Sequence, residues 1–478
     1  MQWLDHLSFF WPHLAVGFGL LAALFASSHV LLHKRDVRAA TLWLATIWFV
    51  PMFGPLLYLV LGVNRVRRRA VSLGVQGTLQ RPGPENLGEP NPAAAEHLKL
   101  LAGVVNRLVA QPLVAGNRIR PLVNGDAAFP EMLAAIEAAQ KSISLTTYIF
   151  DNDAAGKKFA DALGRAVQRG VQVRVLVDAA GVRYSWPPIT RGLRRRKVRV
   201  ARFLPSLAPW RVSTINLRNH RKSLIVDGRL AFTGGMNLRQ GNVLRDQPKS
   251  PVQDLHFQVA GPVVTQLQEA FANDWAFTTG EVLDGLVWFP ELPEQGQLVA
   301  RVITDGPDED FEKLRWTLLA ALAEAQTSVQ ILTPYFLPDP GLVSALNLAA
   351  LRGVSVDIVL PAKSNLTFVH WASRAMWWQV LERGCRLWLT PPPFDHSKLM
   401  IVDGHWVLFG SANWDARSLR LNFELNMECY GREFAEEMQA VFAGKISGAR
   451  EVTLAEADGR SYAVRLRDAI ARLFSPYL

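Results

Sequence analysis

The chain has 478 residues, of which 49% are hydrophobic and only 20% are charged, a high apolar share for a wholly soluble protein. Its 52 basic residues exceed its 42 acidic residues, and the net charge of +10 favours an anionic partner such as a lipid surface, a phosphorylated metabolite or nucleic acid. Only two cysteines occur, Cys385 and Cys429, which excludes a disulfide framework and a cysteine-based zinc site as the basis of the fold.

Two apolar segments without charged residues lie near the start of the chain. Residues 9–32 are long enough to cross a bilayer, which takes about 20 residues. Residues 39–64 form the second segment, in which Pro51 and Pro55 should kink or break a helix. A cleaved signal peptide is the alternative, but the first segment is too long and no small-residue cleavage pattern follows it. We therefore expect a two-helix transmembrane hairpin.

Basic residues flank both apolar segments, with three Lys or Arg in residues 33–38 and four Arg in residues 65–69. Because basic flanks favour the cytoplasmic side, this pattern predicts a multi-pass membrane protein whose globular part lies in the cytoplasm. Residues 77–92 are rich in Pro and Gly, as in a linker. The predicted parts are a hairpin with its basic flank (1–70), a linker and entry helix (71–110), a first repeat (111–292) and a second repeat with the C-terminal tail (293–478).

The rest of the chain contains an internal duplication. Residues 136–150 (IEAAQKSISLTTYIF) resemble residues 322–336 (LAEAQTSVQILTPYF), and each copy continues into a helix-like segment and an alternating apolar strand. The order helix, strand, helix, strand predicts a sheet with helices on both faces. The predicted fold class is therefore α/β, with two tandem α/β/α repeats that follow the transmembrane hairpin.

A longer motif occurs once in each repeat. The pattern His-x-Lys-x4-Asp-Gly is found at residues 220–228 and again 176 residues later, at 396–404. Each copy is followed by Gly-(Gly/Ser)-x-Asn, at 234–237 and 410–413. One His-x-Lys would carry no information, but the same long pattern twice at one spacing is highly specific.

The two motifs are suited to chemistry on a phosphodiester. Residues two apart in a strand face the same side, so His220 points with Lys222 and His396 points with Lys398. If the repeats pack about a pseudo-twofold axis, both pairs meet in one shared active site. Lysines and amide donors neutralise phosphate oxygens, one imidazole attacks phosphorus, and the other protonates the leaving alkoxide. The residues assigned to catalysis are His220, Lys222, Asp227, His396, Lys398 and Asp403.

Further residues are assigned to phosphate binding or to orienting the histidines. Asn237, Ser411 and Asn413 can supply neutral donors. Asp254 and Glu424 lie in polar-apolar alternations where an inward carboxylate could hold a ring N–H; the alternative is that they are ordinary acids at strand ends.

The motif aspartates have a structural interpretation as well as a catalytic one. Asp227 and Asp403 each precede a glycine, and Asp-Gly is typical of a hairpin turn, so a mainly structural role is predicted for them within the motif. We expect no metal and no cofactor, because the histidines have no metal-ligand spacing and each motif places a lysine between them and the next acid.

The duplicated motif resembles the phospholipase D superfamily. The N-terminal segments, the Tyr148-Ile149-Phe150 and Pro334-Tyr335-Phe336 elements, residues 410–418 and the Leu473-Phe474-Ser475-Pro476 end are similar to bacterial cardiolipin synthases, over nearly the whole chain. The resemblance implies that two phosphatidylglycerols give cardiolipin and glycerol through a phosphohistidine. It also implies that His220 is the nucleophile and His396 the acid and base, although the symmetric pattern alone does not distinguish them. The family usually has an acid where this chain has Asn365.

Three other functions are compatible with parts of the pattern. A phospholipase D-type hydrolase would use the same intermediate and release phosphatidic acid. A nuclease of the superfamily would also be basic, but the apolar segments and the absence of an aromatic stacking platform argue against nucleic acid as the partner. A non-catalytic lipid-binding protein would not need both intact motifs. The expected partners are therefore phosphatidylglycerol and an anionic bilayer; the sequence does not indicate the oligomeric state.

Overall fold

The computed structural model describes residues 2–34, 37–50, 53–62, 97–205, 217–307 and 312–475. The chain divides into two compact units. One contains the described residues up to 62, and the other contains the described residues from 97 onward.

The N-terminal unit is helical. It contains α1 (Gln2–His33), α2 (Val37–Phe49), α3 (Gly54–Leu57) and a π-helical turn (Tyr58–Gly62). Two polar contacts join these helices: Trp48 Nε1 donates to Ser27 Oγ at 3.1 Å, and His29 Nδ1 lies 2.8 Å from Tyr58 Oη. Large apolar side chains nevertheless face outward along α1, as at Leu32, which is 80% exposed. A helix that is apolar on its outer face fits a lipid environment.

One helix in the described residues, at 13–33, is long and apolar enough to cross a membrane by itself. The second apolar segment is divided as its prolines predict, because α2 ends at Phe49 and Pro55 lies in the first turn of α3. The two-span hairpin remains a prediction. Part of the connection between the spans, the basic flank at 65–69 and the linker at 77–92 lie outside the described residues.

The second unit contains the two repeats. After α4 (Leu98–Leu108), the first repeat consists of β1 (Val114–Val123), α5 (Asn124–Ala138), β2 (Ser142–Thr147), α6 (Ala154–Gln168), β3 (Gln172–Asp178), a 3-10 turn (Gly181–Tyr184), α7 (Ile189–Arg195), β4 (Arg199–Phe203), β5 (Arg218–Asn219), β6 (Ser223–Val226), β7 (Leu230–Gly234), two 3-10 turns (Gln240–Asn242 and Leu244–Asp246), β8 (Val252–Gln253), β9 (Leu255–Ala260) and α8 (Val264–Thr279).

The second repeat follows the same plan. It consists of β10 (Leu298–Asp305), α9 (Lys313–Glu324), β11 (Ser328–Leu332), β12 (Phe336–Leu337), α10 (Pro340–Leu351), β13 (Ser355–Pro361), α11 (Thr367–Arg374), α12 (Trp378–Leu381), β14 (Arg386–Thr390), β15 (Phe394–Asp395), β16 (Leu399–Val402), β17 (Trp406–Gly410), β18 (Trp414–Asp415), α13 (Ala416–Arg420), β19 (Asn422–Tyr430), α14 (Arg432–Ser447), β20 (Arg450–Val452), α15 (Leu454–Asp458) and α16 (Tyr462–Arg472).

Sixteen of the described strands form one continuous mixed sheet with a symmetric order, and β12 with β18 and β8 with β15 form two separate two-stranded sheets. The antiparallel pair β1 and β10 lies at the centre of the continuous sheet. From β1 outward the order is β9, β7, β6, β2, β3, β4, and from β10 outward it is β19, β17, β16, β11, β13, β14, with β20 added at that edge. Each repeat therefore contributes the same run of strands on its own side of the central pair. This arrangement confirms the predicted α/β class and the tandem duplication.

Each repeat has its own apolar core, and α4 joins the core of the second repeat. Leu98, Leu101 and Val105 of α4 are fully buried among residues of α9, β11 and β13. The helix thus packs on the repeat that follows it by about 200 residues, although it precedes the first repeat in the chain. The predicted domain boundaries at residues 70, 110 and 292 stay predictions.

The motif aspartates are turn residues. Asp227 accepts hydrogen bonds from the backbone N–H groups of Gln140, Lys141 and Ser142, and Asp403 accepts from those of Gln326, Thr327 and Ser328. Both have a left-handed backbone, with φ of 53° and 52°. At about 3.3 Å per residue, each lies about 16 Å along its strand from the motif lysine. This corrects the assignment of Asp227 and Asp403 to the catalytic set, because their carboxylates are bound at the opposite end of the strand.

We predict that Asp403→Ala destabilises the protein without removing its chemistry. The nearby N–H donors hold the pKa of the buried Asp403 below its ordinary value despite burial, so its contribution is present above about pH 4 and is lost as the pH falls further. Loss of the carboxylate should cost about 3 kcal/mol, measured as a fall in Tm and in the urea midpoint at pH 7. Asp403→Asn keeps an acceptor and tolerates positive φ, so it should lose less. Unchanged stability with abolished turnover would return Asp403 to the catalytic set.

Candidate active site

The two motif histidines enter the site through equivalent backbone contacts between the repeats. The short strand β5, just before His220, pairs in parallel with β19, and β15, just before His396, pairs in parallel with β8. The N–H of His220 donates to the Phe423 carbonyl at 2.9 Å, and the N–H of His396 donates to the Gln253 carbonyl at 2.8 Å. Each histidine is thus attached to the other repeat, at the residue that immediately precedes a candidate carboxylate.

The imidazoles and the carboxylates form crossed pairs. His220 Nδ1 lies 3.0 Å from Glu424 Oε2, and His396 Nδ1 lies 2.8 Å from Asp254 Oδ2. The sequence named both acids but did not assign them to rings. Since Nδ1 faces the carboxylate in each pair, Nε2 is the ring nitrogen left to face a substrate.

The lysines lie beside these pairs and are buried. Lys222 is 1% exposed and Lys398 is 5% exposed, and each ammonium donates to the carbonyl of its own motif histidine. Burial lowers the pKa of Lys222 to about 7 and that of Lys398 to about 8, while Asp254 and Glu424 act in the opposite direction. An anionic phosphodiester in the site would favour the charged form of both lysines.

The two carboxylates have different surroundings. Glu424 accepts hydrogen bonds from Ser411 Oγ at 2.5 Å and from Asn422 Nδ2 at 3.1 Å. Gly235 occupies the place of Ser411 in the first repeat, and a Cβ there would lie 2.4 Å from Asp254 Oδ1. Asp254 therefore lacks the hydroxyl that Glu424 has, and it accepts from its neighbouring backbone N–H at Leu255.

These surroundings make the two pairs electrostatically unequal. Burial would raise the pKa of Glu424, but His220 and Lys222 hold it below its ordinary value. Burial raises the pKa of Asp254 to about 7, against the opposing effect of Lys398. Burial also lowers the pKa of both imidazoles, and Lys222 and Lys398 add repulsion at each; Glu424 opposes the shift at His220, and the pKa of His396 falls further. The proton of the first pair and that of the second are therefore released at different pH values.

The three predicted neutral donors are placed differently from one another. The Ser411 hydroxyl is donated to Glu424, so Ser411 positions a carboxylate and is not available to phosphate; this corrects its assignment as a phosphate donor. Asn237 Oδ1 accepts from the Ile149 N–H at 3.0 Å, and Asn413 Nδ2 donates to Ser418 Oγ at 3.1 Å. Both asparagines are buried, and each amide NH₂ has two protons with which to donate.

Two tyrosines that were not among the predicted site residues contact the motif histidines. The Tyr148 ring meets the His220 ring edge-on at 5.2 Å, and the Tyr335 ring meets the His396 ring at 6.2 Å. Lys222 Nζ also lies 5.8 Å from the centre of the Tyr148 ring. Tyr148 and Tyr335 lie one position apart in the duplicated windows 136–150 and 322–336, and a tyrosine near the end of each window was the available signal.

Two basic side chains outside the predicted site residues stabilise the parallel strand pairs that join the two repeats. Arg221 pairs with Asp274 at 2.7 Å and donates from Nε to the Glu424 carbonyl at 3.1 Å. In the other half, Lys445 pairs with Asp395 at 2.7 Å and donates to the Gln253 side chain. Arg221 is the variable residue of the first His-x-Lys, where the second motif has Ser397, so the motif pattern could not reveal it.

No cluster of three or more His, Cys, Asp and Glu residues is placed to hold a metal ion within the described ranges.

Comparison with known proteins places this site in a family. The family described as cardiolipin synthase, PLD-like domain, matches residues 132–275 and 318–446, and the phospholipase D-nuclease N-terminal family matches residues 21–62. The solved phosphatidylserine synthase of Haemophilus influenzae Rd KW20 has a similar fold, with a TM-score of 0.63 at 14% identity over 79% of this chain and 100% of that one.

Curated relatives match over almost the full chain. Cardiolipin synthase A of Pseudomonas entomophila (strain L48) is 32% identical, with 99% of each chain covered. The cardiolipin synthase of Geobacillus sp. (strain WCH70) is 31% identical over 96% of this chain and 92% of its own length. The protein is thus a member of the cardiolipin synthase family with phospholipase D-like domains.

Proposed function

We propose that the protein is a phosphatidyltransferase that makes cardiolipin and glycerol from two phosphatidylglycerols through a phosphohistidine. The observation that carries this proposal is the pair of His-Lys elements in one buried site, with each imidazole held by the carboxylate of the other repeat. The relatives are cardiolipin synthases, so cardiolipin is the product assigned to the reaction. Phosphatidylglycerol is the substrate that gives this product by exchange of one alcohol for another.

The first half-reaction forms the intermediate. His220 donates Nδ1–H to Glu424 and attacks phosphorus with Nε2, while the bond to the glycerol oxygen breaks and His396 gives that oxygen a proton. Lys222 and Lys398 neutralise the non-bridging oxygens as charge develops on them, and the amides of Asn237 and Asn413 add neutral donors. The products are phosphatidyl-His220 and glycerol.

The second half-reaction resolves the intermediate. The terminal hydroxyl of a second phosphatidylglycerol attacks phosphorus, His396 accepts its proton, and the P–N bond to His220 breaks. Cardiolipin leaves and both histidines return to their starting protonation. Water in place of the second lipid would release phosphatidic acid, so a dry site favours transfer over hydrolysis.

The unequal pairs support His220 as the nucleophile. A His-carboxylate pair titrates as a unit, so the relevant quantity is whether the pair holds an extra proton. The pair of His396 with Asp254 holds one up to about pH 7, because burial raises the pKa of Asp254 to about 7. The pair of His220 with Glu424 has released its extra proton at neutral pH, because both pKa values are lowered. The second pair can thus act as the acid while the first attacks.

The chain is associated with a membrane through its N-terminal apolar helix. We propose further that α1 and the segment at 37–62 form a hairpin in the bacterial inner membrane, with the catalytic unit in the cytoplasm. The basic residues around both segments support this orientation.

Product analysis tests the proposed reaction. Purified protein in detergent is given glycerol-labelled phosphatidylglycerol without added metal, and products are separated by chromatography. Labelled cardiolipin and free labelled glycerol in equal amounts are expected. Phosphatidic acid as the main product would make the protein a hydrolase, and no turnover of phosphatidylglycerol would contradict the proposed substrate.

We predict that the two histidine variants differ in how far they proceed. Either His220→Asn or His396→Asn should lose about 10³-fold or more in turnover of phosphatidylglycerol. A phosphatidyl ester of p-nitrophenol needs no proton to leave, so His396→Asn should still form the intermediate but fail to activate the acceptor alcohol. Mass spectrometry of its peptides should then find the phosphatidyl group on His220.

The matched control is His405→Asn, which changes a histidine at the turn after Asp403 and should turn over normally. An adduct on His396 in the His220→Asn variant, with none in the converse experiment, would reverse the assignment of the two roles.

We predict a bell-shaped pH dependence of kcat/KM, with its acid limb below pH 6.5 and its alkaline limb near pH 7 to 8. Protonation of His220 causes the acid limb, since burial lowers its pKa. Loss of the proton of the His396 pair, followed by neutralisation of the lysines, causes the alkaline limb. Asp254→Asn should move the alkaline limb to lower pH. The substitution removes the carboxyl group that shares a proton with His396, and it removes the negative charge that raises the pKa of Lys398.

The control for this profile is Glu137→Gln, an equivalent change of an exposed acid that pairs with Arg165. An alkaline limb that stays in place in Asp254→Asn would exclude the pair as the source of the acid.

A further inference from the structure

The helix α16, at residues 462–472, has its apolar residues on the outside. Its exposed side chains recur at intervals of four and continue past the helix end: Tyr462 is 81%, Leu466 47%, Ile470 49%, Leu473 74% and Phe474 51% exposed. Its inner face holds a fully buried carboxylate, Asp468. A surface helix of a soluble domain normally has the opposite arrangement, so this outer stripe is suited to an apolar partner.

Contacts of Asp468 and Arg467 with α11 attach the inner face of α16 to the catalytic unit. Asp468 receives Arg460 at 2.6 Å, Arg467 at 2.6 Å and Arg374 of α11 at 3.7 Å. Three guanidinium groups therefore surround one carboxylate and leave a surplus of positive charge beneath the stripe. The Arg467 guanidinium also lies 4.4 Å from the centre of the Trp371 ring. The helix is held firmly without burial of its apolar side.

A second element extends the apolar surface. Leu366 and Phe368, at the start of α11, are 47% and 39% exposed, and the Phe368 ring lies 5.5 Å from that of Phe474. The surface formed by both elements is called the C-terminal patch, and its members are Leu366, Phe368, Leu466, Ile470, Leu473 and Phe474. Arg465 and Lys363, both exposed, add cations to its edge.

The C-terminal patch is continuous with the active site. Ala471 of α16 is buried in one apolar cluster with Tyr335, Val369 and Ala372. Tyr335 contacts the His396 ring, and its hydroxyl donates to Asn365 Oδ1 at 2.6 Å, next to Leu366 of the patch. The surface thus borders the half of the site that contains His396.

We propose that the C-terminal patch docks onto an anionic lipid bilayer, with its apolar side chains among the acyl chains and its cations at the headgroups. This surface is a second membrane contact of the chain, besides the N-terminal helix. The inference rests on the proposed function because a lipid substrate must pass between bilayer and site. The basic edge favours anionic lipid over a second copy of the chain, since two copies would bring like charges together.

The test measures the depth of single probes in the full-length protein. Ile470→Cys, Leu473→Cys and the control Leu286→Cys are labelled with a nitrobenzoxadiazole fluorophore; Leu286 is 70% exposed in the first repeat, and both native cysteines are buried. Each protein is reconstituted at one chain per nanodisc of phosphatidylglycerol and phosphatidylcholine that contains doxyl-labelled lipid. Melting curves verify that each variant is folded.

We expect blue-shifted emission and quenching at Ile470→Cys and Leu473→Cys that exceeds that at Leu286→Cys by about threefold or more, since interfacial helices lie 5–10 Å into the bilayer. Quenching should fall in discs of phosphatidylcholine alone. Equal quenching at all three sites would overturn the proposal, as would protection of Leu473→Cys only when two chains share a disc. The fluorescence needs no turnover, so this result stands apart from any failure of the proposed reaction.

Discussion

The burial of six ionisable side chains in one site constrains the rest of the structure. Two imidazoles, two ammonium groups and two carboxylates lie almost out of contact with water, and such groups are tolerated only when they are paired. Each repeat supplies a lysine and a carboxylate, but the carboxylate orients the histidine of the other repeat. A single repeat would therefore bury an imidazole and an ammonium group without the acid that faces them. The continuous sheet through β1 and β10, the parallel strand pairs and the fastening cations keep the halves in register.

Within this symmetric frame, the two His-carboxylate pairs differ in their surroundings. The place that Ser411 holds beside Glu424 is taken by Gly235 beside Asp254. Burial would raise the pKa of Glu424, but His220 and Lys222 hold it below its ordinary value, and the Ser411 hydroxyl adds to that effect. Asp254 lacks that donor, and its pair with His396 retains a proton to a higher pH. Duplication supplied two similar half-sites, and differences in the charges and donors around each carboxylate make them unequal.

The sequence predicts the fold class, the duplication and the main residues of the site, because these depend on local alternation and on a repeated motif. It could not assign Asp254 and Glu424 to particular rings, since spacing along the chain does not show which repeat faces which. Arg221 and Lys445 act through contacts between distant strands and leave no repeated pattern. Asp227 and Asp403 were grouped with the catalytic residues because they belong to the motif, but they lie in turns, as their Asp-Gly dipeptides also predicted. Tyr148 and Tyr335 stood in the duplicated windows and could have been identified.

The crossed pairing is the central claim, and pre-steady-state kinetics with a phosphatidyl ester of p-nitrophenol test it most directly. The initial burst reports formation of the phosphohistidine, and the later steady rate reports its transfer to an alcohol. If Glu424 serves His220 and Asp254 serves His396, Glu424→Gln slows the burst, whereas Asp254→Asn leaves the burst intact and slows the steady phase. The reverse outcome, with Asp254→Asn slowing the burst and Glu424→Gln sparing it, would contradict the combination of crossed pairing with His220 as the nucleophile.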